Sequence, residues 1–238
     1  MTKAIVLAAG FGTRMRPLTD TLPKPLLKVA GVTLIDRALD WLYASGINDV
    51  VVNSFYKAEI LEAHLARRRT PKIHTSRETT ILETGGGIKN ALPLLGEKPF
   101  FSVNADVICL DGKTPALKRL LDAWDDKTMD ALLLVHPVEK AVGYDEAGDF
   151  FLEPNGSLRW RMDAKKAPYV FTGVQLIHPR LFNGAPEGAF STKLMWNRGM
   201  LANGTLPRIH GLPHDGNWLH VGDPDGLKQA ADWLGTVS

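Results

Sequence analysis

The chain has 238 residues, of which 45% are hydrophobic and 23% are charged, and this composition is typical of an ordinary globular protein. It excludes disordered and collagen-like chains, and a disulfide-stapled scaffold is excluded because Cys109 is the only cysteine. The formal net charge of +2 is too small for the broad basic surface of a nucleic-acid-binding protein, and no apolar run approaches the roughly 20 residues of a membrane span.

The first predicted element is a strand. Ala4 to Ala9 is an uninterrupted apolar run closed by Gly10, which predicts a strand buried on both faces at the centre of a parallel sheet. The run is shorter than the apolar core of a signal peptide, so we expect a cytoplasmic protein that is not exported and does not bind membranes. Residues 34–42 follow at helical spacing behind the polar cap Thr33, and Gly46 predicts the end of this helix.

Strands and helices then alternate through about residue 135. Short apolar runs predict strands and apolar residues at helical spacing predict helices, with a glycine-rich turn expected before the helix that starts at Ile88. The predicted strands are 50–52, one beginning at 73, 100–103 and 131–135, and the predicted helices are 58–66, 88–95 and 117–124. This alternation predicts βαβ units, and therefore a Rossmann-like α/β fold with a mixed, mostly parallel central sheet.

The second part of the chain has a different pattern. Residues 149–152 and 157–160 flank an Asn155-Gly156 turn and predict a small β insertion or lid. The later elements are predicted as a strand at 170–177, a helix at 192–202 ended by Gly204, a strand at 206–210 and a helix at 224–233. Without a linker or repeat, we expect a single domain over residues 1–238.

A glycine-rich loop directly follows the first predicted strand. It reads Leu7-Ala-Ala-Gly10-Phe-Gly12-Thr-Arg14, and its glycines allow successive backbone N–H groups to converge on phosphate oxygens. Residues 1–28 carry five basic side chains against Asp20 alone, although the whole chain is nearly balanced. A Rossmann dinucleotide fingerprint is absent because Met15 replaces its third glycine, and a Walker A motif is also absent. The loop therefore predicts a polyphosphate site, the alternative being a plain strand-to-helix turn.

The loop and its continuation, Arg16-Pro-Leu-Thr19 and Pro23-Lys24-Pro25-Leu26, resemble the signature of the sugar-1-phosphate nucleotidyltransferases, which make NDP-sugars from an NTP. Further segments are most similar to the N-acetylmuramate-1-phosphate uridylyltransferases of bacterial cell-wall recycling, with mannose-1-phosphate guanylyltransferases as close neighbours. These segments are Glu83-Thr-Gly-Gly-Gly-Ile88, Asn104-Ala-Asp106, Gly148-Asp-Phe150 and Phe171-Thr-Gly173. The resemblance implies a nucleotide-binding part to about residue 135 and a sugar-binding part from about 136.

The resemblance also implies which residues hold the nucleotide. Arg14 would stabilise the departing pyrophosphate, Lys24 would contact the α-phosphate, and Asp106 would bind the metal, so these three are the predicted catalytic residues. The other predicted nucleotide-binding residues are Ala9, Gly10, Phe11, Gly12, Thr13, Gly85, Gly86 and Asn104. From the residues alone, Gly85 and Gly86 could equally form a tight turn, and Asp106 could be a turn or cap residue.

The second metal position departs from the family pattern. Where the family commonly has Trp-x-Asp-x-Gly-Thr, this chain has Trp218-Leu-His220-Val-Gly222-Asp223, so a histidine replaces the usual aspartate. The implied cofactor is Mg²⁺, with Mn²⁺ as the alternative because imidazole suits Mn²⁺ better. His220 and Asp223 are the secondary metal candidates, although Asp223 before Pro224 also suits a helix N-cap.

On the sugar side, the resemblance assigns Gly148, Asp149 and Gly173 to the hexose. Lys165 and Lys166 are candidates for the sugar phosphate, with a solvated lysine pair as the alternative, because the family's Glu-Lys-Pro is not intact here. The expected partners are an NTP, with UTP favoured, and a sugar 1-phosphate, with N-acetylmuramic acid 1-phosphate favoured, and the expected state is a monomer or small homo-oligomer.

Two other functions stay open from the sequence. One is a mannose-1-phosphate guanylyltransferase or another sugar- or choline-phosphate nucleotidyltransferase. The other is a catalytically silent nucleotide-binding module, which the unusual His220 would fit and the intact Arg14, Lys24 and Asp106 disfavour.

Overall fold

A mixed β-sheet forms the centre of the molecule. The computed structural model describes residues 2–200 and 206–237. The strands in these ranges are β1 Ala4–Leu7, β2 Lys28–Val29, β3 Val32–Thr33, β4 Asp49–Ser54, β5 Lys72–Arg77, β6 Phe100–Asn104, β7 Val107–Leu110, β8 Ala131–Pro137, β9 Phe150–Leu152, β10 Leu158–Trp160, β11 Tyr169–Ile177, β12 Ile209–Pro213 and β13 Asn217–His220. The helices are α1 Leu34–Ala44, α2 Ala58–Leu65, α3 Glu83–Leu95, α4 Ala116–Ala123, α5 Thr192–Met200 and α6 Pro224–Val237. None of these helices is long and apolar enough to cross a membrane.

The first half of the chain builds the parallel part of the sheet, in the order β5-β4-β1-β6. The apolar run that predicts a central strand becomes β1, which pairs with β4 on one side and β6 on the other. Leu7 at the end of β1 lies opposite Asn104 at the end of β6. The carboxyl ends of β1, β4 and β6 therefore meet at one edge, where open α/β sheets bind their ligands.

The second half adds antiparallel and parallel strands to the same sheet. β11 runs antiparallel to both β6 and β8, and β12 runs parallel to β8. The predicted hairpin forms as β9 and β10, and it joins the sheet where Phe150 pairs with Tyr169. The α/β fold with a mixed, mostly parallel central sheet is thus confirmed, and the hairpin extends the sheet.

Alternating residues of the strands bury against helices on both faces. On β1, Ala4 and Val6 pack in a core that includes residues of α1, α2 and α4, whereas Ile5 packs with α3 and α5. A third, smaller core lies under α6 and includes Met15 from the glycine-rich loop. A strand buried on both faces is continuously apolar, which explains the pattern of residues 4–9.

Several predicted elements are placed differently by the structure. Residues 85–87 are not a turn but lie inside α3, which begins at Glu83. The strand predicted at 206–210 lies at Ile209–Pro213, and the predicted helix end at residues 201–202 and Gly204 falls outside the described residues. The antiparallel pairs β7 with β13 and β2 with β3 were not predicted.

Candidate active site

The loop after β1 forms the floor of a cleft of about 330 Å³ at the carboxyl ends of the parallel strands. Gly12 has a left-handed backbone, with φ of +63°, and a Cβ there would lie 3.0 Å from side-chain carbons of both Lys24 and Thr19. Thr19 fixes the turn from the other side, because its hydroxyl donates to the Gly12 carbonyl at 2.8 Å. The loop residues that line the cleft are Ala9, Gly10, Gly12, Thr13 and Arg14.

Phe11 is a predicted nucleotide-binding residue that does not line this cleft. Its ring is 42% exposed and lies 5.7 Å, between ring centroids, from both Phe55 and Tyr56. The side chain of Phe11 therefore packs in an aromatic cluster beside the loop.

Lys24 and Asp106 meet across the cleft. The Lys24 ammonium donates a hydrogen bond of 2.6 Å to Asp106 Oδ2, and the two side chains are 12% and 29% exposed. Lys24 begins a 3₁₀ helix over Lys24–Leu26, and Asp106 follows β6 and is held by the Val221 N–H, which donates to its carbonyl. Burial alone would raise the pKa of the Asp106 carboxyl, but the adjacent ammonium and the nearby His220 hold that pKa below its ordinary value. Asp106 is therefore ionised and paired at neutral pH.

A buried polar network that the sequence did not reveal anchors the start of the loop. The Ala8 N–H donates to Asn53 Oδ1 at 2.6 Å, and Asn53 Nδ2 donates to Glu78 Oε1 at 2.7 Å. The second Glu78 oxygen accepts the Leu82 N–H at 3.0 Å, which connects the network to the entry of α3. Burial raises the pKa of the Glu78 carboxyl, against the effect of these hydrogen bonds. The signal for Asn53 is its place at the carboxyl end of β4, beside the predicted loop.

The glycines at the start of α3 pack against another segment of the chain and do not line the cleft. The N–H groups of Gly85 and Gly86 both donate to the Phe190 carbonyl, at 2.8 and 3.0 Å. A Cβ on Gly85 would lie 2.5 Å from the Phe190 ring, and one on Gly86 would lie 2.4 Å from the Gly188 carbonyl oxygen. These glycines allow the 188–190 segment to approach α3, and the residues of this region that line the cleft are Ile81, Glu83 and Thr84.

A second cleft, of about 250 Å³, adjoins the first at Arg14, Asn104 and Asp106, which line both. We name it the sugar-side cleft after the sugar-binding residues that the sequence predicts. Of the predicted sugar-binding residues, Asp149 and Gly173 line it. Gly173 lies at an irregularity of β11 with φ of +84°, and a Cβ there would lie 3.0 Å from Asn104 Cβ. Gly148 does not line it, because a Cβ there would lie 2.3 Å from the Ala167 carbonyl oxygen.

The walls of this sugar-side cleft include side chains that the sequence did not identify, among them Tyr144, Phe171, Lys193 and Trp196. Asp149 is fixed at its wall because its Oδ2 accepts the Phe171 N–H at 3.0 Å. Burial, with the nearby Asp149 and Glu146 carboxylates, raises the pKa of Tyr144 to about 12, so its hydroxyl remains a neutral donor. Aromatic rings with a few polar groups are typical of the lining of small-molecule sites.

The metal candidates do not form a closed protein site. Among residues 2–200 and 206–237, no group of three or more histidine, cysteine or acidic side chains could hold a metal ion. Asp223 Oδ1 accepts the Gly226 N–H at 2.8 Å, so Asp223 caps α6 and lines a neighbouring acidic cleft. His220 lines the sugar-side cleft with its ring stacked on Trp218, 5.7 Å between centroids. Asp106 is thus the one carboxylate, among the described lining residues, common to the nucleotide and sugar clefts.

Comparison with known proteins gives a consistent result. The model of the nucleotidyl transferase family matches residues 3–145. The N-acetylmuramate alpha-1-phosphate uridylyltransferase of Caulobacter vibrioides is 43% identical over 96% of this chain and 95% of its own length. The protein of the same name from Neisseria meningitidis serogroup B is 35% identical over 96% of both. HddC from Yersinia pseudotuberculosis, solved in complex with GMP-PN, has the same fold, with a TM-score of 0.78 at 20% identity over 98% of this chain and 100% of its own.

Proposed function

The chain belongs to the nucleotidyl transferase family as a sugar-1-phosphate nucleotidyltransferase, and we propose that it transfers the uridylyl group of UTP to N-acetylmuramic acid 1-phosphate. The products are UDP-N-acetylmuramic acid and pyrophosphate. The choice of these substrates is supported by the two uridylyltransferases that match almost the full chain.

The observation that carries the proposal is the junction of the two clefts. Arg14, Asn104 and Asp106 line both the phosphate-loop cleft and the aromatic sugar-side cleft, and Lys24 is bonded to Asp106 at that junction. An NTP bound along the loop and a sugar bound among the rings would bring their phosphates together there. Nucleotidyl transfer needs this proximity, because its catalysis consists mainly of positioning and charge stabilisation.

In the proposed reaction, a phosphate oxygen of the sugar 1-phosphate attacks the α-phosphorus of UTP. The new P–O bond forms as the bond from the α-phosphorus to the bridging oxygen of the β-phosphate breaks, and pyrophosphate leaves with that electron pair. The second pKa of a phosphomonoester is about 6, so the nucleophile is mostly ionised at neutral pH and needs no general base. Lys24 would hold the α-phosphate, and Arg14 would stabilise the charge of the leaving pyrophosphate.

The residues at the junction fit Mg²⁺. One carboxylate, Asp106, faces the place where phosphate oxygens would gather, and Mg²⁺ is commonly held by one or two carboxylates together with substrate phosphates. Bound there, the ion would neutralise charge on the phosphates. Histidine at position 220 weakens the case for a second protein ligand to Mg²⁺ and leaves Mn²⁺ as the alternative.

We further propose that the reaction takes place in the cytoplasm, where nucleoside triphosphates are available, and returns a cell-wall sugar to nucleotide-activated form. The described helices include none that could cross a membrane, which is compatible with that location. The single cysteine, Cys109, is buried as a free thiol, as is usual for a reducing compartment.

Pyrophosphate release tests the proposal. It is measured with each common ribonucleoside triphosphate, crossed with the 1-phosphates of N-acetylmuramic acid, N-acetylglucosamine and mannose, in Mg²⁺ and in Mn²⁺. The proposal predicts the highest kcat/KM for UTP with N-acetylmuramic acid 1-phosphate. A preference for GTP with mannose 1-phosphate, or tight NTP binding without turnover of any pair, would overturn it.

A further inference from the structure

The wall of the sugar-side cleft formed by α5 carries a positive charge that the reaction itself does not use. Lys193, in the first turn of α5, lines this cleft together with Trp196 of the same helix. In the proposed reaction the phosphates meet where Arg14, Asn104 and Asp106 line both clefts. Lys193 lines only the sugar side.

Lys193 is an exposed residue whose ammonium lies beside an aromatic ring. Lys193 Nζ lies 5.7 Å from the centroid of the Trp160 ring, within the range of a cation–π contact. The Trp160 indole N–H donates to Asn197 Oδ1 at 2.6 Å, which ties β10 to α5. The buried Trp196 packs on Phe171 with centroids 4.9 Å apart and donates its indole N–H to Gln175. The Lys193 ammonium therefore lies against an aromatic ring that is itself held by a hydrogen bond to α5.

The Lys193 ammonium forms no ion pair within residues 2–200 and 206–237, although Asp106, Glu146 and Asp149 line the same cleft. Asp106 is bonded to Lys24, and Asp149 accepts the Phe171 N–H. Glu146, the other acidic group, also lines the neighbouring acidic cleft, which Lys193 does not line. An anion entering the cleft beside α5 would meet an ammonium that is not paired with a carboxylate of the described residues.

Lys165 and Lys166 do not supply such a charge. Like Lys193 both are exposed, but neither lines the first cleft or the sugar-side cleft. Lys193 is therefore the lysine, among the described lining residues, that is available to a group on the sugar ring.

We infer that Lys193 binds a carboxylate carried by the sugar, and so selects hexose 1-phosphates that have a second anionic group. This inference rests on the proposed function and deepens it. N-acetylmuramic acid 1-phosphate differs from N-acetylglucosamine 1-phosphate by a lactyl ether whose carboxylate projects from C3, away from the C1 phosphate. The Lys193 ammonium would donate a charge-assisted hydrogen bond to that carboxylate and would give no advantage to the sugar that lacks it.

The test compares these two sugars in the wild type, Lys193→Gln and Lys193→Arg. We expect Lys193→Gln to lower kcat/KM for N-acetylmuramic acid 1-phosphate by about tenfold, mainly through KM, because a charge-assisted hydrogen bond is lost. The value for N-acetylglucosamine 1-phosphate stays unchanged, and Lys193→Arg retains most of the discrimination. Lys165→Gln is the matched control, since it removes an exposed lysine that lines neither substrate cleft.

The outcomes separate the inference from the function on which it rests. If Lys193→Gln lowers kcat/KM equally for both sugars, or for neither, the inference is wrong while uridylyl transfer stands. If the wild type turns over neither sugar, the proposed function is wrong and the inference falls with it. Circular dichroism of each variant shows whether a common loss is a loss of folding.

Discussion

Lys24 and Asp106 stand 82 positions apart in the sequence, yet the ammonium of one donates a 2.6 Å hydrogen bond to the carboxylate of the other at the junction of the two clefts. Lys24 is supplied by the loop after β1 and Asp106 by the turn after β6, and these strands are direct neighbours. The pair is therefore assembled by the sheet before any substrate is bound. The Asp106 carboxylate holds the Lys24 ammonium in place, and an incoming phosphate would share that ammonium with it.

Removing either partner should reduce catalysis more than stability. We expect Lys24→Ala and Asp106→Ala each to lower kcat by about 100-fold to 1,000-fold, the usual loss when one preorganised charge at a reacting centre is removed. Lys28→Ala, at an exposed position that lines neither substrate cleft, is the control and should keep its activity. The measurement is steady-state pyrophosphate release with urea unfolding of each variant, and a Lys24→Ala protein with wild-type kcat would contradict the assignment.

Gly12→Ala should impair the nucleotide site specifically. Alanine at position 12 would be strained, because the backbone there has a left-handed φ of +63°. Its Cβ would also lie 3.0 Å from the Lys24 side chain. We expect KM for UTP to rise and kcat to fall, together with a loss of about 1 kcal/mol in the free energy of unfolding.

Gly31→Ala is the matched control for this substitution. Gly31 also has a positive φ, +81°, but a Cβ there would meet nothing within 4 Å. It should lose a similar stability of about 1 kcal/mol and keep its kinetic constants. Equal kinetic effects of the two substitutions would show that strain alone, and not displacement of Lys24, explains the Gly12→Ala result.

The hydrogen bond between Asn53 and Glu78 predicts that Asn53→Asp lowers the stability of the protein in a pH-dependent way. Asn53→Asp replaces the donor to Glu78 with a second carboxylate, so we expect a loss of about 3 kcal/mol in the free energy of unfolding at about pH 8. Burial already raises the pKa of Glu78, and a neighbouring carboxylate raises it further. A carboxyl whose folded-state pKa is raised binds its proton more tightly when folded, so stability returns as the pH falls through that value.

Urea unfolding of Asn53→Asp and the wild type, from about pH 8 downwards, measures the loss of stability and its recovery. Asn48→Asp is the chemical control, because Asn48 is exposed and should show neither the loss nor its recovery. A loss in Asn53→Asp that grows on acidification would contradict the proposed carboxylate pair.

His136 should limit the stability of the protein in acid. Its side chain is 1% exposed, and neither ring nitrogen makes a hydrogen bond of ordinary geometry with the described residues. Burial lowers the pKa of His136, so the unfolded chain takes up the proton first and stability falls as the pH drops below about 6.5. His136→Leu should lose less stability between neutral and mildly acidic pH than the wild type, and an unchanged acid slope in urea unfolding would contradict this account.

The sequence predicted the elements whose signals are local. The buried run of residues 4–9 and the glycines of the loop follow from side-chain pattern and backbone freedom, and they suffice to locate the cleft that the loop lines. The turn predicted at residues 85–87 is wrong because glycine locally disfavours a helix, whereas the 188–190 segment needs the space that Gly85 and Gly86 leave in α3. The same segment lies about a hundred residues away in sequence, so no local pattern could reveal this contact.

The sugar side was predicted least well for a related physical reason. Its walls combine residues of β11, β13 and α5 with Tyr144, and they come together only through the pairing of β13 with β7 and the packing of α5 on β11. Asp149 and Gly173 were located through the family resemblance, whereas Lys193 and Trp196 have no motif of their own. Their position in the cleft follows from tertiary packing.

The most direct test of nucleotidyl transfer at the Lys24–Asp106 junction is phosphorus NMR of a mixture of UTP, N-acetylmuramic acid 1-phosphate and Mg²⁺ with the wild-type protein. We predict that the sugar-phosphate signal is replaced by the two coupled signals of a nucleotide-sugar diphosphate, in equal amount to the pyrophosphate that appears. Lys24→Ala, at the same protein concentration, should leave both substrates unchanged over that time. Release of UMP or orthophosphate without a diphosphate bond to the sugar would contradict the account.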